Sequence, residues 1–174
     1  MDGEAVERFA PGEVFAGRYR IVTRLGQGAR GDVWRADDLA LGTPVAIKVI
    51  DPAGADAQRS LVDAIQIARP ITHPGACRVF DIGEDDGRLF VSMELVRGES
   101  LAALVKRVGR LPSEKVADIG SQVCDVLSAA HAEGILHRGL EPANILINEK
   151  GRVHPALAGS ARAAADRVSQ PVRP

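Results

Sequence analysis

The chain has few aromatic residues, few cysteines and no long hydrophobic run. Each of these shortages limits the classes of protein to which the chain can belong. Aromatic residues make up 3% of the 174 residues, so we expect a core built mainly from valine, leucine, isoleucine and alanine. No apolar run approaches the length that spans a bilayer, and the acidic start MDGEAVERF is unlike a secretory signal. Cys77 and Cys124 are far apart in apolar contexts, which favours free thiols in a reducing cytoplasm.

No charge of one sign dominates the chain either. The formal net charge is −1, so bulk electrostatics give no indication of a nucleic-acid or membrane partner. Hydrophobic residues form 45% and charged residues 26% of the sequence, which is typical of a globular domain. The four histidines and two cysteines show no metal-ligand spacing, which argues against a zinc site.

The first half of the chain predicts a sheet. Alternation places Tyr19, Ile21, Thr23 and Leu25 on one face of a strand. A helix is predicted over residues 61–69, because apolar residues recur there at helical spacing and a proline follows. Four more strands are predicted at residues 33–36, 45–50, 77–82 and 88–95, with a hairpin turn at 84–87 between the last two.

The second half predicts a long helix followed by short strands. Ser113 is expected to be the N-cap of this helix, and Glu114 in its first turn complements the helix dipole. The strands are expected at residues 145–147 and around Val153, with a turn between them. The apolar stripe of the helix consists of Val116, Ile119, Val123, Leu127 and Ala130.

Residues 26–31 read GQGARG and match the pattern G-x-G-x-x-G. In a dinucleotide-binding fold such glycines open a helix whose N-terminal amides hold a pyrophosphate. Here Val33 and Trp34 follow, and this β-branched and aromatic pair indicates a strand. No Gly-Lys-Ser or Gly-Lys-Thr follows, which excludes a P-loop. Two interpretations stay open: a flap that covers phosphates, and a glycine hairpin that binds no ligand.

A second signal is the sequence VAIK at residues 45–48. Side chains alternate along a strand, so Ala46 and Lys48 share one face. Alanine is small enough to admit an adenine ring, and Lys48 would reach the phosphates of the same nucleotide. A single lysine on a strand is usually only solvated, whereas VAIK after a glycine flap favours a nucleotide site.

Five blocks follow one another along the chain: LGQGARGDVWRADD, VAIKVI, THPGACRVFDIGE, SMELVRGESL and HRGLEPANILI. Together they resemble the bacterial serine/threonine protein kinases, from about Phe15 to about Gly159. The resemblance implies an α+β, protein kinase-like fold, with a five-stranded N-lobe that carries one helix and a partial, mainly helical C-lobe. The implied domains are a lead at 1–16, the N-lobe at 17–96, the partial C-lobe at 97–159 and a flexible tail at 160–174.

The resemblance also implies a set of nucleotide-binding residues. Met93 would be the gatekeeper, and Glu94 and Val96 would offer backbone groups to the purine edge. The same positions serve core packing, so the alternative is that they only hold the fold together. The full set is Leu25, Gly26, Gly28, Gly31, Val33, Ala46, Lys48, Met93, Glu94, Val96, Asn144 and Leu146.

The catalytic loop departs from the family. The family pattern is H-R-D-L-K-P-x-N, whereas residues 137–144 read HRGLEPAN. Gly139 stands at the Asp that accepts the proton of the substrate hydroxyl, and Glu141 stands at the Lys that neutralises the transferring phosphate. A negative charge at this position opposes a bound phosphate.

Two further positions depart from the family. Residues 153–165 contain no Asp, so the metal-binding Asp of D-F-G is missing whether or not 157–159 are read as its place. Mg²⁺ would keep only Asn144 from its usual protein ligands. Ala64 stands where a helix Glu should pair with Lys48. We therefore expect no catalytic residue and no metal site.

These departures predict a degenerate, truncated family member, a pseudokinase that is not an enzyme. We expect an interaction or regulatory module in the cytoplasm that requires no cofactor and binds ATP weakly and without metal. We also expect a protein partner or a second copy on the exposed C-lobe helix, and neither nucleic acid nor membrane. Two alternatives stay open: an active serine/threonine kinase with a non-standard catalytic arrangement, and a decayed or truncated fragment without its own function.

Overall fold

The structure is a computed structural model that describes residues 8–28, 31–50, 59, 62, 66, 73–137, 139–156 and 162–163. The chain divides into two compact units. One consists of Met1–Pro52 and Asp81–Leu95, and the other of Ala53–Phe80 and Val96–Pro174. A large sheet dominates the first unit, and the described helices belong to the second. The predicted α+β class, with a sheet before a helical part, is confirmed.

The described residues form a six-stranded sheet in the order β1-β2-β3-β4-β6-β5. The pairs β1–β2, β2–β3, β3–β4 and β4–β6 are antiparallel. All five predicted strands are present, and β1 is an additional short strand. The bounds are β1 Val14–Phe15, β2 Tyr19–Gly28, β3 Gly31–Asp38, β4 Thr43–Ile50, β5 Val79–Asp85 and β6 Arg88–Glu94.

The turn between β5 and β6 is formed as predicted. Asp86 has a φ of 49° and Gly87 a φ of 71°. Two consecutive residues with positive φ are the requirement of a tight hairpin whose twist matches that of its strands, and Asp-Gly is a preferred pair for it. The turn sequence thus decides the register of this hairpin.

Strand β2 differs from the alternation that its sequence predicts. Its pairing with β3 shifts in register between Ile21 and Thr23 and again between Arg24 and Gly26. Each shift inserts an unpaired residue and changes the face on which the following side chains lie. As a result Ile21 is buried while Leu25 is 49% exposed. The prediction that Tyr19, Ile21, Thr23 and Leu25 share one face is wrong for this reason.

The scarce aromatic residues are concentrated in the core of the first unit. Phe9 packs edge-on against Phe15 and Trp34, with ring centroids 4.9 and 5.4 Å apart. Phe90 in turn contacts Phe15 and Tyr19, at 5.1 and 5.6 Å. All five rings are buried. The predicted lead at 1–16 therefore contributes two core side chains. Valine, isoleucine, leucine and alanine still form most of the buried positions of this unit, as predicted, and the five rings pack among them.

The second unit contains the two described α-helices and the smaller sheets. One sheet has the order β10-β9-β7, and β11 pairs with β8. Of the predicted tail, only the strand β11 is described. The bounds are β7 Gly98–Ser100, α1 Leu101–Val108, α2 Ser113–Ala132, β8 Ile135–Leu136, a 3₁₀ turn Pro142–Asn144, β9 Ile145–Asn148, β10 Val153–Pro155 and β11 Arg162–Ala163.

Helix α1 was not predicted, although its ends carry clear signals. The Ser100 hydroxyl accepts a hydrogen bond from the Ala103 amide at 3.1 Å, which is an N-cap. Gly109 follows the last helical residue with a φ of 76°, and its amide donates to the Val105 carbonyl at 2.8 Å. A serine and a glycine at these positions are the usual start and stop of a short helix.

Helix α2 is present, but two details of its prediction are wrong. Its N-cap is Pro112, and no side chain caps it; Ser113 is already helical. Val116 is 54% exposed, although it lies on the same helical stripe as Val123 and Ala130; it stands in the first turn, and burial of the stripe begins at Ile119. The side chains that are buried are Ile119, Val123, Val126 and Ala130.

The core of the second unit joins α2 to β9 and β10. Ile119 and Val123 pack with Ile145, Ile147 and Val153. The predicted strand–turn–strand at 145–153 is confirmed. The predicted helix at 61–69, Ala64 and the possible D-F-G stretch at 157–159 lie outside the described residues, apart from single helical residues at 62 and 66.

Candidate functional site

Four of the predicted nucleotide-binding residues lie on one face of the large sheet. Val33 pairs with Lys48 across β3 and β4, and Ala46 pairs with Met93 across β4 and β6. Directly opposite residues of antiparallel strands point to the same side, as do residues two apart on one strand. The structure thus brings Val33, Ala46, Lys48 and Met93 together.

This face combines apolar surface with two cations, Lys48 and Arg35, since Arg35 pairs with Ala46. Ala46 and Met93 are each 6% exposed, whereas Val33 and Lys48 are half-buried. Leu25 lies at a register shift of β2 and keeps much of its surface in solvent. Glu94 pairs with Val45, so its side chain lies on the opposite face and only its backbone could serve a ligand here.

The three predicted glycines differ in the structural reason for which a glycine stands at each position. Gly26 pairs with Val33, and a Cβ added to it would meet nothing within 4 Å. Gly31 has a φ of 116°, and an added Cβ would overlap the backbone carbonyl of Val49. Gly28 pairs with Gly31 at the end of the hairpin. The close approach of β3 to β4 therefore explains Gly31 without a ligand.

The other predicted residues belong to the second unit. Leu146 is partly buried and alternates along β9 with the core residues Ile145 and Ile147, so it lies on the opposite face of that strand. Val96 is also partly buried, and Asn144 ends the 3₁₀ turn before β9. These three residues remain predictions as ligand contacts.

The loop at 137–144 is held by side chains of its own. Asn144 Nδ2 donates to the Gly139 carbonyl at 2.9 Å and to Glu141 Oε1 at 3.0 Å. The Gly139 amide donates to His137 Nδ1 at 3.3 Å. His137 is 4% exposed, and burial lowers its pKa below the ordinary value of a histidine. A neutral ring at this position can accept the hydrogen bond.

The contact between Glu141 and Asn144 was missed by sequence reasoning. It follows from the 3₁₀ turn Pro142–Asn144, in which residues three apart lie one above the other. The pattern Glu-Pro-x-Asn carried that signal. The consequence is chemical: although Gly139 has no side chain, the loop keeps a carboxylate close to the Gly139 backbone.

No described helix combines the length and the apolar character that a bilayer crossing needs.

Comparisons with known proteins agree with these motifs. Residues 19–169 match the family model described as protein kinase domain. Among similar proteins is the serine/threonine-protein kinase PknA of Mycobacterium tuberculosis (strain H37Ra), 37% identical over 163 residues, which cover 87% of this chain and 37% of the relative. PknD of M. tuberculosis (strain CDC 1551 / Oshkosh) is 35% identical over 153 residues, or 86% of this chain and 23% of the relative.

A relative from another organism gives a similar match. The probable serine/threonine-protein kinase PknB of Lactococcus lactis is 32% identical over 160 residues, which cover 87% of this chain and 25% of the relative. This chain therefore spans between about a quarter and just over a third of the lengths of these relatives. The resemblance to bacterial serine/threonine kinases is confirmed.

These relatives correct one prediction. We expected a protein that is not an enzyme, but the relatives are named serine/threonine-protein kinases, which are enzymes. The prediction took the departures at Gly139, Glu141 and Ala64 and the missing metal-binding Asp together as the loss of the chemistry. It did not consider that Glu141 brings a carboxylate to within 3.0 Å of Asn144 in the same loop.

Proposed function

Because the chain belongs to the protein kinase family, we propose that it binds ATP and acts in a serine/threonine protein kinase with a non-standard catalytic loop. One observation carries the proposal: Val33, Ala46, Lys48 and Met93 share one face of the sheet. This arrangement provides an apolar surface for a purine ring beside a cation for its phosphates. The motifs GQGARG and VAIK support the same assignment.

Each of these residues has a distinct role in the proposal. The methyl group of Ala46 leaves room for the flat face of adenine, and Met93 and Val33 supply apolar contacts beside it. Lys48 pairs with Val33 in the sheet and would place its ammonium near the phosphates. Asn144 and Leu146 are proposed as further contacts through the family resemblance.

Glu141 is the proposed proton acceptor. The oxygen of a substrate serine or threonine hydroxyl forms a bond to the γ-phosphorus of ATP, while the bond from that phosphorus to the β–γ bridging oxygen breaks and ADP leaves. The hydroxyl proton passes to the Glu141 carboxylate. Such acid–base assistance contributes about 10²–10⁴ in rate. The hydrogen bond from Asn144 Nδ2 positions this carboxylate.

Kinases also use Mg²⁺ to neutralise the phosphates of ATP. Among the described residues, no group of three or more histidine, cysteine, aspartate or glutamate side chains could hold a metal ion. In the catalytic loop the Asn144 amide nitrogen already donates to Gly139 and Glu141. Its Oδ1 is the one usual protein ligand of Mg²⁺ that remains for the phosphates' metal, because residues 153–165 contain no Asp. We therefore propose that ATP binds weakly and that its affinity depends little on the metal.

A cytoplasmic location is part of the proposal. ATP is available in that compartment, and the free thiols of Cys77 and Cys124 would stay reduced there.

The test measures the affinity of the full chain for ATP by isothermal titration calorimetry, with and without Mg²⁺. Lys48→Ala is expected to weaken ATP binding at least about tenfold, since a charge-assisted contact to phosphate contributes roughly 1.5–3 kcal/mol. Lys150→Ala is the matched control, because Lys150 is an exposed lysine in the β9–β10 turn. The proposal is wrong if the folded chain binds no ATP or if both variants behave alike.

Phosphoryl transfer is measured separately. Radiolabelled ATP and a serine-containing acceptor protein such as casein are incubated with the chain and with Lys48→Ala. Transfer that Lys48→Ala abolishes supports the kinase assignment. ATP binding with no transfer in either sample would contradict the catalytic part of the proposal while leaving nucleotide binding in place.

A further inference from the structure

An open groove lies where helix α1 ends and helix α2 begins. Its volume is about 830 Å³, within the range of about 300–1,000 Å³ that is typical of ligand sites. Its walls are mostly apolar, with Val105, Leu111 and Val116 among the lining residues. Arg110 is the one charged residue among the described residues that line it. The groove belongs entirely to the second unit.

The local sequence keeps Val105 and Val116 in solvent, whereas Leu111 is partly buried and packs against the core of the second unit. Gly109 ends α1 with a positive φ of 76°, and three residues later Pro112 caps α2, whose first helical residue is Ser113. The short connection leaves Val105 and Val116 42% and 54% exposed, and Val108 in the last turn of α1 is 45% exposed. Helix α1 has no fully buried residue of its own. Clustered exposed apolar side chains of this kind mark interaction sites more often than isolated ones do.

The charges around the groove favour an acidic occupant. Arg110 lies in the lining, and Lys106 is exposed in the last turn of α1. Arg107 forms an ion pair with Glu99, so it adds little net charge. Lys115 and Asp118 on α2 likewise form an ion pair at 3.0 Å.

The start of α2 adds to this preference. Its cap residue Pro112 supplies no side-chain acceptor to the first turn, and Ser113 lines the groove. The N-terminal end of a helix carries a partial positive charge. Glu114 in the same turn is the opposing acidic group. Arg110, Lys106 and the helix end together leave a positive excess.

We propose that this groove binds a short segment of a partner protein in which apolar side chains alternate with carboxylates. The apolar side chains would cover Val105, Leu111 and Val116, and a carboxylate would pair with Arg110. This mode follows the general rule that apolar grooves take amphipathic segments and that flanking charges select among them. The proposal does not depend on ATP binding, so the two can fail independently.

The test uses a short fluorescein-labelled peptide in which leucine alternates with glutamate. Its binding to the full chain is followed by fluorescence anisotropy. Val116→Ser is expected to weaken binding at least about fivefold, because a buried methyl group contributes close to 1 kcal/mol and two are lost. Arg110→Glu is expected to weaken binding of this peptide and to favour one in which lysine replaces glutamate. Val116 and Arg110 are exposed, so both variants should fold.

Matched controls come from the first unit. Val14 is 46% exposed and Arg35 is an exposed cation, so Val14→Ser and Arg35→Glu make the same chemical changes at residues that do not line the groove. The proposal fails if the peptide does not bind saturably, or if the control variants weaken it equally. It also fails if sedimentation shows self-association that Val116→Ser abolishes, since a second copy would then be the occupant. Binding to anionic vesicles in place of the peptide would overturn it as well.

Discussion

Arg18 and Asp38 form a two-point ion pair between the start of β2 and the end of β3. Arg18 Nε donates to Asp38 Oδ1 at 2.9 Å and Nη2 donates to Oδ2 at 2.7 Å. The same guanidinium reaches Asp81 on β5 through Nη1 at 3.1 Å. Asp38 Oδ1 also accepts hydrogen bonds from the backbone amides of Ala40 and Leu41, at 2.9 and 3.2 Å. One carboxylate thus fixes the β3–β4 turn and joins two strands.

We predict that Asp38→Asn lowers the free energy of unfolding by about 2 kcal/mol, because an amide supplies one acceptor oxygen where the carboxylate supplies two and carries no charge for Arg18. Urea unfolding followed by circular dichroism measures the change. Asp125→Asn is the control, since Asp125 is exposed on α2. Equal free energies of unfolding of the two variants would show that the Arg18–Asp38 pair does not stabilise the fold.

The same pair predicts an acid dependence. The hydrogen bond from Arg18 is the main cause that lowers the pKa of Asp38. A carboxyl whose pKa is lower in the folded state contributes stability above its unfolded pKa of about 4 and loses it as the pH falls through the folded value. We expect the stability difference between the native chain and Asp38→Asn to shrink as the pH is lowered from neutrality to about 2. A difference that stays constant with pH would contradict the ionised pair.

The fold was predictable wherever local sequence decides the structure. The Asp86-Gly87 turn and the alternation in β4 depend on neighbours within a few residues, so their patterns sufficed. The register shifts in β2 depend on pairing with β3, which single-strand alternation does not contain. The contact of Phe9 with Trp34 joins residues far apart in sequence, and composition alone could not indicate it.

The candidate site was predictable to a similar extent. Alternation placed Ala46 and Lys48 on one face, and the registers add Val33 and Met93 to it. Gly31 was assigned to nucleotide binding, whereas the structure shows that packing against Val49 already requires a glycine. That close approach arises between two strands, so a motif in one of them could not reveal it.

Gly31→Ala is predicted to destabilise the first unit by at least about 2 kcal/mol, since it combines a strained positive φ with a backbone overlap. Gly26→Ala is the matched variant, because its added Cβ meets nothing within 4 Å. We expect Gly26→Ala to stay within about 1 kcal/mol of the native chain. Chemical denaturation of both variants gives the comparison, and a tolerated Gly31→Ala would contradict the described strand spacing.

Burial of His137 predicts a second pH effect, nearer neutrality. Its pKa is lowered by burial, so the unfolded chain binds the proton more readily than the folded chain does. Stability should therefore fall as the pH drops below about 6.5 and level off below the folded pKa. His137→Gln should remove this part of the decline, whereas His131→Gln, at an exposed position, should retain it. Identical pH profiles of the two variants would rule out His137 as the source.

Glu141→Gln separates the two effects that the carboxylate is proposed to have. A negative charge beside bound phosphates opposes them by about 1 kcal/mol at 4 Å in a water-like medium, so its removal should strengthen ATP binding about fivefold. The same change removes the proposed proton acceptor and should lower phosphoryl transfer by about 10² or more. Adenosine carries no phosphate, so its affinity should stay the same.

Opposite shifts in ATP affinity and transfer rate are the signature of this dual role. A purely structural effect of losing the Asn144 contact would move ATP and adenosine affinity together, because it would distort the loop for both ligands. Glu149→Gln controls for net charge, since Glu149 is exposed in the β9–β10 turn. Gly139→Asp adds a second check: restoring a carboxylate at that position should make transfer insensitive to Glu141→Gln. If the Glu141→Gln variant transfers phosphate at the same rate as the native chain, the proton leaves by another route and Glu141 is not the acceptor.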